Sequence, residues 1–270
     1  MKGPALAGLF FFVEAALKTF ISSAILPYLG QVLFSILKLY AKLAIKIYCR
    51  KIIINKPSTL RLKGPLLIAA NHPNSFLDGI IFSTLFEHET YLLARGDAFR
   101  KKHHSWILRK LYMLPVYRTS EGPENLNHNY ATFAACQDAF EQGAIVVIFS
   151  EGSCFNEWHL RPLRKGTARL AISSWQKSID LPVIPAGINY NTFRSFGKNV
   201  FLNFGTALNC EEILLHETDG KLFSSFNEQL NEQLQQLVYE INPEDKKEQK
   251  RRFYIQLPTW KKMILSLPAL

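Results

Sequence analysis

Three short apolar runs constrain this chain most: LLIAA at 66–70, IVVIF at 145–149 and VIPAGI at 183–188. Each has the length of a strand, and each stops abruptly at polar residues. Helical periods lie between them. The sequence predicts strands at 51–55, 59–63, 66–70, 90–94, 114–118, 144–149, 182–188 and 200–204. It predicts helices at 76–87, 97–110, 124–142, 165–177 and about 221–240. Within 124–142, Leu126, Tyr130, Phe133, Gln137 and Phe140 step by three or four, and four of these five are apolar. Short apolar strands alternating with helices predict an α/β fold: a central mixed, largely parallel sheet flanked by helices. At 270 residues the chain can bury one sizeable core, and 48% hydrophobic residues exclude a disordered protein.

The amino-terminal segment reads differently. Residues 3–37 are strongly apolar, too long for a signal-peptide core and without a clear cleavage site. Glu14 and Lys18 interrupt the run, and Pro27 and Gly30 break it, so two shorter helices joined near Pro27 are expected. Lys38, Lys42, Lys46 and Arg50 then recur every four residues beside Leu39, Tyr40, Leu43, Ala44, Ile47 and Tyr48. A basic stripe along an apolar face suits a helix lying in a membrane interface, its cations toward anionic headgroups. The net charge of +10 also calls for an anionic partner. Three regions follow: 1–50, N-terminal membrane-binding helices; 51–242, the α/β domain; 243–270, a charged linker with an apolar tail. Trp260, Lys261 and Lys262 in that tail suggest a second interfacial contact. Cys49, Cys136, Cys154 and Cys210 show no metal-ligand spacing and read as reduced thiols facing the cytosol.

Four constellations can carry chemistry. The run 66–70 ends in Asn71-His72-Pro73-Asn74-Ser75, and Asp78 follows at the start of a helix. Ligands sit at the carboxyl ends of strands in α/β sheets. There His72 can act as a general base, with Asp78 accepting its ring N–H. Next, the strand LPVYR places Arg118 at the same kind of edge, suited to bidentate phosphate binding. Third, IVVIF runs into Ser150-Glu151-Gly152-Ser153, a turn whose N–H groups suit an anion. Glu151 there is costly unless paired. Arg161, Arg164 and Lys165, just before a helix, form a second candidate phosphate site. Fourth, Val183-Ile184-Pro185 is a buried strand whose proline predicts an edge or a bulge.

In this order, and over about residues 50–205, the four blocks resemble the lysophosphatidic acid and glycerol-3-phosphate acyltransferase superfamily (PlsC-like). NHPNSFLD is similar to its first motif, Arg118 to the arginine that ends the second, and Phe149-Ser150-Glu151-Gly152-Ser153 to Phe-Pro-Glu-Gly-Thr. The fourth motif is matched by Val183-Ile184-Pro185. The resemblance implies acyl transfer from acyl-CoA or acyl carrier protein to the hydroxyl of a 1-acyl-glycerol-3-phosphate-type acceptor. Glycerol 3-phosphate or another lysolipid is the alternative acceptor. His72 and Asp78 would be catalytic. Arg118, Glu151, Gly152, Ser153, Arg161, Arg164 and Lys165 would position the acceptor, and Val183, Ile184 and Pro185 the acyl donor. No cofactor and no metal is implied. The partners are membrane lipids, the thioester and a lysophospholipid, not nucleic acid, with the site on the cytoplasmic side of a membrane. Two departures stand out. Five residues separate His72 from Asp78 where the family has four, so the loop must absorb one more. Cys154 stands where the third motif continues with arginine.

Two other classes compete. A serine hydrolase or lipase would use Ser75, Ser150 or Ser153, but the chain has no GxSxG elbow. A non-catalytic lipid-binding protein would need the membrane-like segments and none of the four blocks.

Overall fold

The computed structural model describes residues 26–117, 124–213 and 219–255. Seven strands form one sheet: β1 (Cys49–Ile54), β2 (Leu66–Ala70), β3 (Thr90–Arg95), β4 (Met113–Val116), β5 (Ile145–Phe149), β6 (Val183–Tyr190) and β7 (Lys198–Phe204). The helices are α1 (Leu26–Tyr48), α2 (Ser75–Leu85), α3 (Lys102–Lys110), α4 (Glu124–Glu141), α5 (Lys165–Gln176), α6 (Cys210–Ile213), α7 (Asp219–Leu237) and α8 (Lys246–Arg252).

The strand order is β1-β7-β6-β2-β5-β3-β4, which puts β2 at the centre. Neighbours pair in parallel except β6 with β7. The mixed, largely parallel sheet expected from the sequence is therefore present. All five residues of β2 are at most 1% exposed. Each large apolar side chain buried this fully contributes about 1.5–3 kcal/mol, so β2 is a rigid origin for whatever leaves its end.

Alternate strand residues feed two cores, as the period of two requires. Leu67, Ala69, Val146, Ile148 and Val183 point to one face, against Phe140 of α4, Ala171 and Trp175 of α5, and Phe226, Leu230 and Leu234 of α7. Leu66, Ile68, Ala70, Val147, Ile184 and Ile188 point to the other, against Ile45 of α1 and Ile81 and Phe82 of α2. At Gly187 an added Cβ would lie 2.4 Å from the Leu237 carbonyl, so only glycine lets α7 approach β6 this closely. Asn189 completes the contact, donating to Leu237 O at 2.9 Å and accepting from Tyr239 N at 2.7 Å.

Several local expectations change. Residues 59–63 are not a strand: Pro57–Arg61 is a 3-10 turn, with Pro57 in its first turn fixing φ and lacking an N–H. The helix expected at 97–110 is a 3-10 turn over Gly96–Phe99 followed by α3. From Leu26 the chain is one helix through Gly30, with Pro27 in the first turn, where a missing N–H costs nothing. The expected first apolar helix, residues 3–25, lies outside the described residues. Arg50 leaves the basic stripe because α1 ends at Tyr48 and Arg50 is already in β1. Lys38 turns inward, donating to Phe86 O at 3.0 Å, and burial lowers its pKa. Residues 246–252 form a helix capped by Asp245, which accepts from Glu248 N at 2.9 Å. The following Phe253 packs its ring on Trp158, Phe201 and Tyr239, so this segment is folded against the domain. The tail with Trp260, Lys261 and Lys262 lies outside the described residues. All four cysteines are free thiols.

Candidate active site

The carboxyl end of β2 carries Asn71 and His72. Asn71 is 3% exposed, and its amide bonds both ways to the next strand. Nδ2 donates to Ile188 O at 3.1 Å, and Oδ1 accepts from Ile188 N at 2.7 Å. This double link fixes the crevice between β2 and β6 from which His72 emerges.

His72 Nδ1 lies 2.9 Å from Asp78 Oδ2. A carboxylate only accepts, so Nδ1 carries the proton and the lone pair sits on Nε2. Among the described residues Nε2 has no hydrogen-bond partner. Phe149, the last residue of β5, stacks on the imidazole at 3.9 Å between centroids and 15° between planes. The stack fixes the ring plane and Asp78 fixes its rotation within that plane.

Asp78 is fully buried. Burying a carboxylate is costly unless its oxygens are bonded, and here both are. Oδ2 also accepts from the N–H of Asn74, the N-cap residue of α2, at 2.7 Å. Oδ1 accepts from the Tyr190 hydroxyl at 2.5 Å. Between His72 and Asp78, at the helix start, Ser75 takes φ +45°. That left-handed residue lets the chain turn into α2 with Asp78 still facing the ring.

A second loop, after β5, holds the first. Glu151 is buried, with Oε2 accepting from His72 N and Oε1 from Arg161 N, each at 3.1 Å. Burial pushes its pKa up, against the pull of those two N–H groups. Three more bonds join the loops: Phe155 N to His72 O at 3.3 Å, Asn156 Nδ2 to Pro73 O at 2.7 Å, and Ser75 N to Cys154 Sγ at 2.9 Å. Cys154 thus receives a backbone N–H at the start of α2. Gly152 sits at φ +64°, and an added Cβ would stand 3.0 Å from Arg164 Cγ. Ser153 is half-buried in the same turn.

The basic residues divide. Arg161 pairs with Glu157 and lies 3.6 Å from the centroid of Phe155. Arg164 N donates to Ser150 O at 2.7 Å, which anchors the exposed Arg164 and Lys165 at the start of α5. Arg118 lies outside the described residues. The backbone just before it is held, because Asn129 bonds Tyr117 N and O at 2.8 Å each.

Val183 and Ile184 occupy the amino-terminal half of β6 and fill the two cores. The structure does not bring them to the site, because hydrophobic strand residues so far from the edge are consumed by packing. Pro185 is in an interior strand, at an irregularity of the β7 side. Val183 pairs with Leu208 and Ala186 with Phe204, three steps against four. The contribution of β6 to the site is Tyr190, which the sequence reading missed. Its only signal was a polar aromatic ending a strand that is apolar but for Asn189.

The arrangement defines an α/β protein with a histidine–carboxylate pair at the carboxyl edge of its central strand. No serine hydroxyl among the described residues bonds to the His72 ring. Ser150 Oγ instead accepts from Thr167 Oγ1 at 2.9 Å, in a buried pair. Comparison with known proteins makes the class specific. The family described as Acyltransferase matches residues 51–189, which hold every residue of this site except Tyr190, and the chain belongs to that family. The fold is similar to the crystal structure of the 1-acyl-sn-glycerophosphate (LPA) acyltransferase PlsC from Thermotoga maritima. The TM-score is 0.53 at 12% identity, over 84% of this chain and 89% of that one. A search of curated proteins finds no match.

Proposed function

We propose that this acyltransferase moves a fatty acyl group from a thioester to the free hydroxyl of a lysophosphatidate-type acceptor at a membrane surface. The observation that carries the reading is the His72–Asp78 bond of 2.9 Å with Nε2 left unclaimed among the described residues. His72 Nε2 takes the acceptor hydroxyl proton as that oxygen attacks the thioester carbonyl carbon. Asp78 holds the tautomer and stabilises the imidazolium, and Tyr190 and Asn74 hold Asp78. The tetrahedral intermediate collapses by breaking the carbon–sulfur bond. The thiolate recovers the proton from His72, leaving an ester and a free thiol, with no acyl-enzyme.

Arg164 and Lys165, together with Arg118, supply positive charge for the acceptor phosphate. Glu151 braces the backbone of His72, and Gly152 and Ser153 complete the turn. The thioester is a co-substrate, acyl-CoA or acyl carrier protein, and no metal or cofactor takes part. The name of the Thermotoga maritima neighbour favours lysophosphatidate as acceptor over glycerol 3-phosphate.

The membrane reading rests on α1. Ile45 faces the core, while Ile36, Leu39, Tyr40, Leu43 and Ile47 are exposed along the opposite side. Among the described residues no helix is long and apolar enough to cross a membrane, so this face suits an interface rather than a span. The site would then face the cytoplasmic leaflet. Purified protein supplied with acyl-CoA and a panel of lysophosphatidate, other lysophospholipids and glycerol 3-phosphate tests the reading. Thiol release fastest with lysophosphatidate supports it. Thiol release independent of every acceptor contradicts it.

A further inference from the structure

Helix α3 carries a surface that neither the site nor the cores use. None of its residues is buried. Trp106 is 51% exposed and Ile107 45% exposed. Lys102 and His103 precede Trp106 by four and three residues, and Arg109 and Lys110 follow it by three and four. Helical spacing puts all four around the indole on one face. Arg100 and Lys101 stand just before the helix, and no acid occurs from 100 to 110. An exposed indole ringed by cations wastes apolar surface in water and crowds like charges, so the arrangement calls for an anionic, partly apolar partner.

Two facts point to a lipid surface. First, α1 touches α3, so the exposed apolar side of α1 and the cationic face of α3 belong to neighbouring helices. Second, α3 follows β3, which runs parallel to β5, so the segment leaves the sheet at the edge where His72 sits. Residues 1–25 hold a single carboxylate, Glu14, and offer this face little complementary charge.

We propose that α3 is a second membrane contact, selective for anionic lipid, with Trp106 in the headgroup region and Lys102, Arg109 and Lys110 on lipid phosphates or carboxylates. The proposal rests on the membrane reading given for α1. It adds that charge recognition resides in α3 and tilts the site edge toward the bilayer.

The test uses the full chain and vesicles of phosphatidylcholine alone or with phosphatidylglycerol, at low and high salt. Wild type should bind the anionic vesicles better, with the difference lost at high salt. Lys102→Glu combined with Arg109→Glu should cut binding to anionic vesicles by about tenfold or more, since each cation near the surface contributes. Binding to neutral vesicles and turnover of a detergent-dispersed acceptor should stay at wild-type level. Trp106→Ala should weaken binding to both vesicle types. An unchanged anionic preference in the double variant overturns the role of α3 while leaving α1 docking standing. Wild-type protein that binds neither vesicle overturns both. A Trp106→Ala variant that changes oligomeric state but not vesicle binding assigns the face to a second copy of the chain and overturns the proposal.

Discussion

Tyr190 shows how much a single buried hydroxyl can do here. It is fully buried, and its pKa is pushed well up, first by burial and then by Asp78. It therefore remains a donor to Asp78 Oδ1. A hydrogen bond to a charged partner contributes about 1.5–3 kcal/mol. Tyr190→Phe should therefore lower kcat by about tenfold or more, with acceptor KM nearly unchanged. Steady-state kinetics in detergent micelles separates the two, and a loss confined to KM would place Tyr190 in substrate binding instead. Glu151 permits a pH test. Its raised folded pKa means that ionising it costs stability. Its contribution is full below the ordinary glutamate range and is lost as pH rises through the folded value. Wild type should thus gain thermal stability relative to Glu151→Gln as pH falls through that window, read from melting curves of both proteins. Parallel curves would show that Glu151 does not titrate there. The same substitution turns one acceptor oxygen into an NH2 facing an N–H, so it should also slow transfer. At this scale the pairing of His72 with Asp78 was legible, whereas Glu151, expected to position the acceptor, has both oxygens on the backbone N–H groups of His72 and Arg161. Tyr190 and Asn71 were not legible, because their roles depend on β6 lying beside β2, which one-dimensional spacing does not reveal.

Among the elements, the seven strands and most helices of the α/β domain were readable from period, while the helix Lys246–Arg252 was expected as a linker. The errors cluster where one residue changes the geometry. Pro57 starts a 3-10 turn where 59–63 were expected as a strand, and the end of α1 at Tyr48 removes Arg50 from its stripe. Five residues separate His72 from Asp78, and Ser75 at φ +45° stands among them. Helix α1 has a testable division of labour. Tyr40 and Ile47 are exposed, so Tyr40→Glu with Ile47→Glu should leave the melting temperature within a degree or two. The same variant should lose most vesicle binding in a flotation assay. A pronounced fall in stability would show that this face packs within the protein rather than on lipid.

Over the whole molecule, the site is a consequence of strand order. The central strand β2 delivers Asn71 and His72, β5 delivers Phe149 and Glu151, and β6 delivers Tyr190, all to one carboxyl edge. The antiparallel β7 and its neighbour β1 bring the end of α1 to that edge too, since Cys49 pairs with Lys198. Lys198, 1% exposed, lies 5.1 Å from the Tyr48 ring and 5.6 Å from the Tyr190 ring. The helix proposed to lie on the membrane therefore ends beside the support of Asp78. The α/β class was legible from the alternation of short apolar runs with helices. The strand order was not, because long-range pairing leaves no local mark. Removal of the acceptor proton by His72 Nε2 can be checked by thiol release from acyl-CoA with lysophosphatidate, comparing wild type with His72→Ala at matched vesicle binding. General-base catalysis of this kind contributes about 10²–10⁴-fold, so the variant should fall by at least the lower figure while binding vesicles normally. Turnover by His72→Ala at the wild-type rate would rule out His72 as the base.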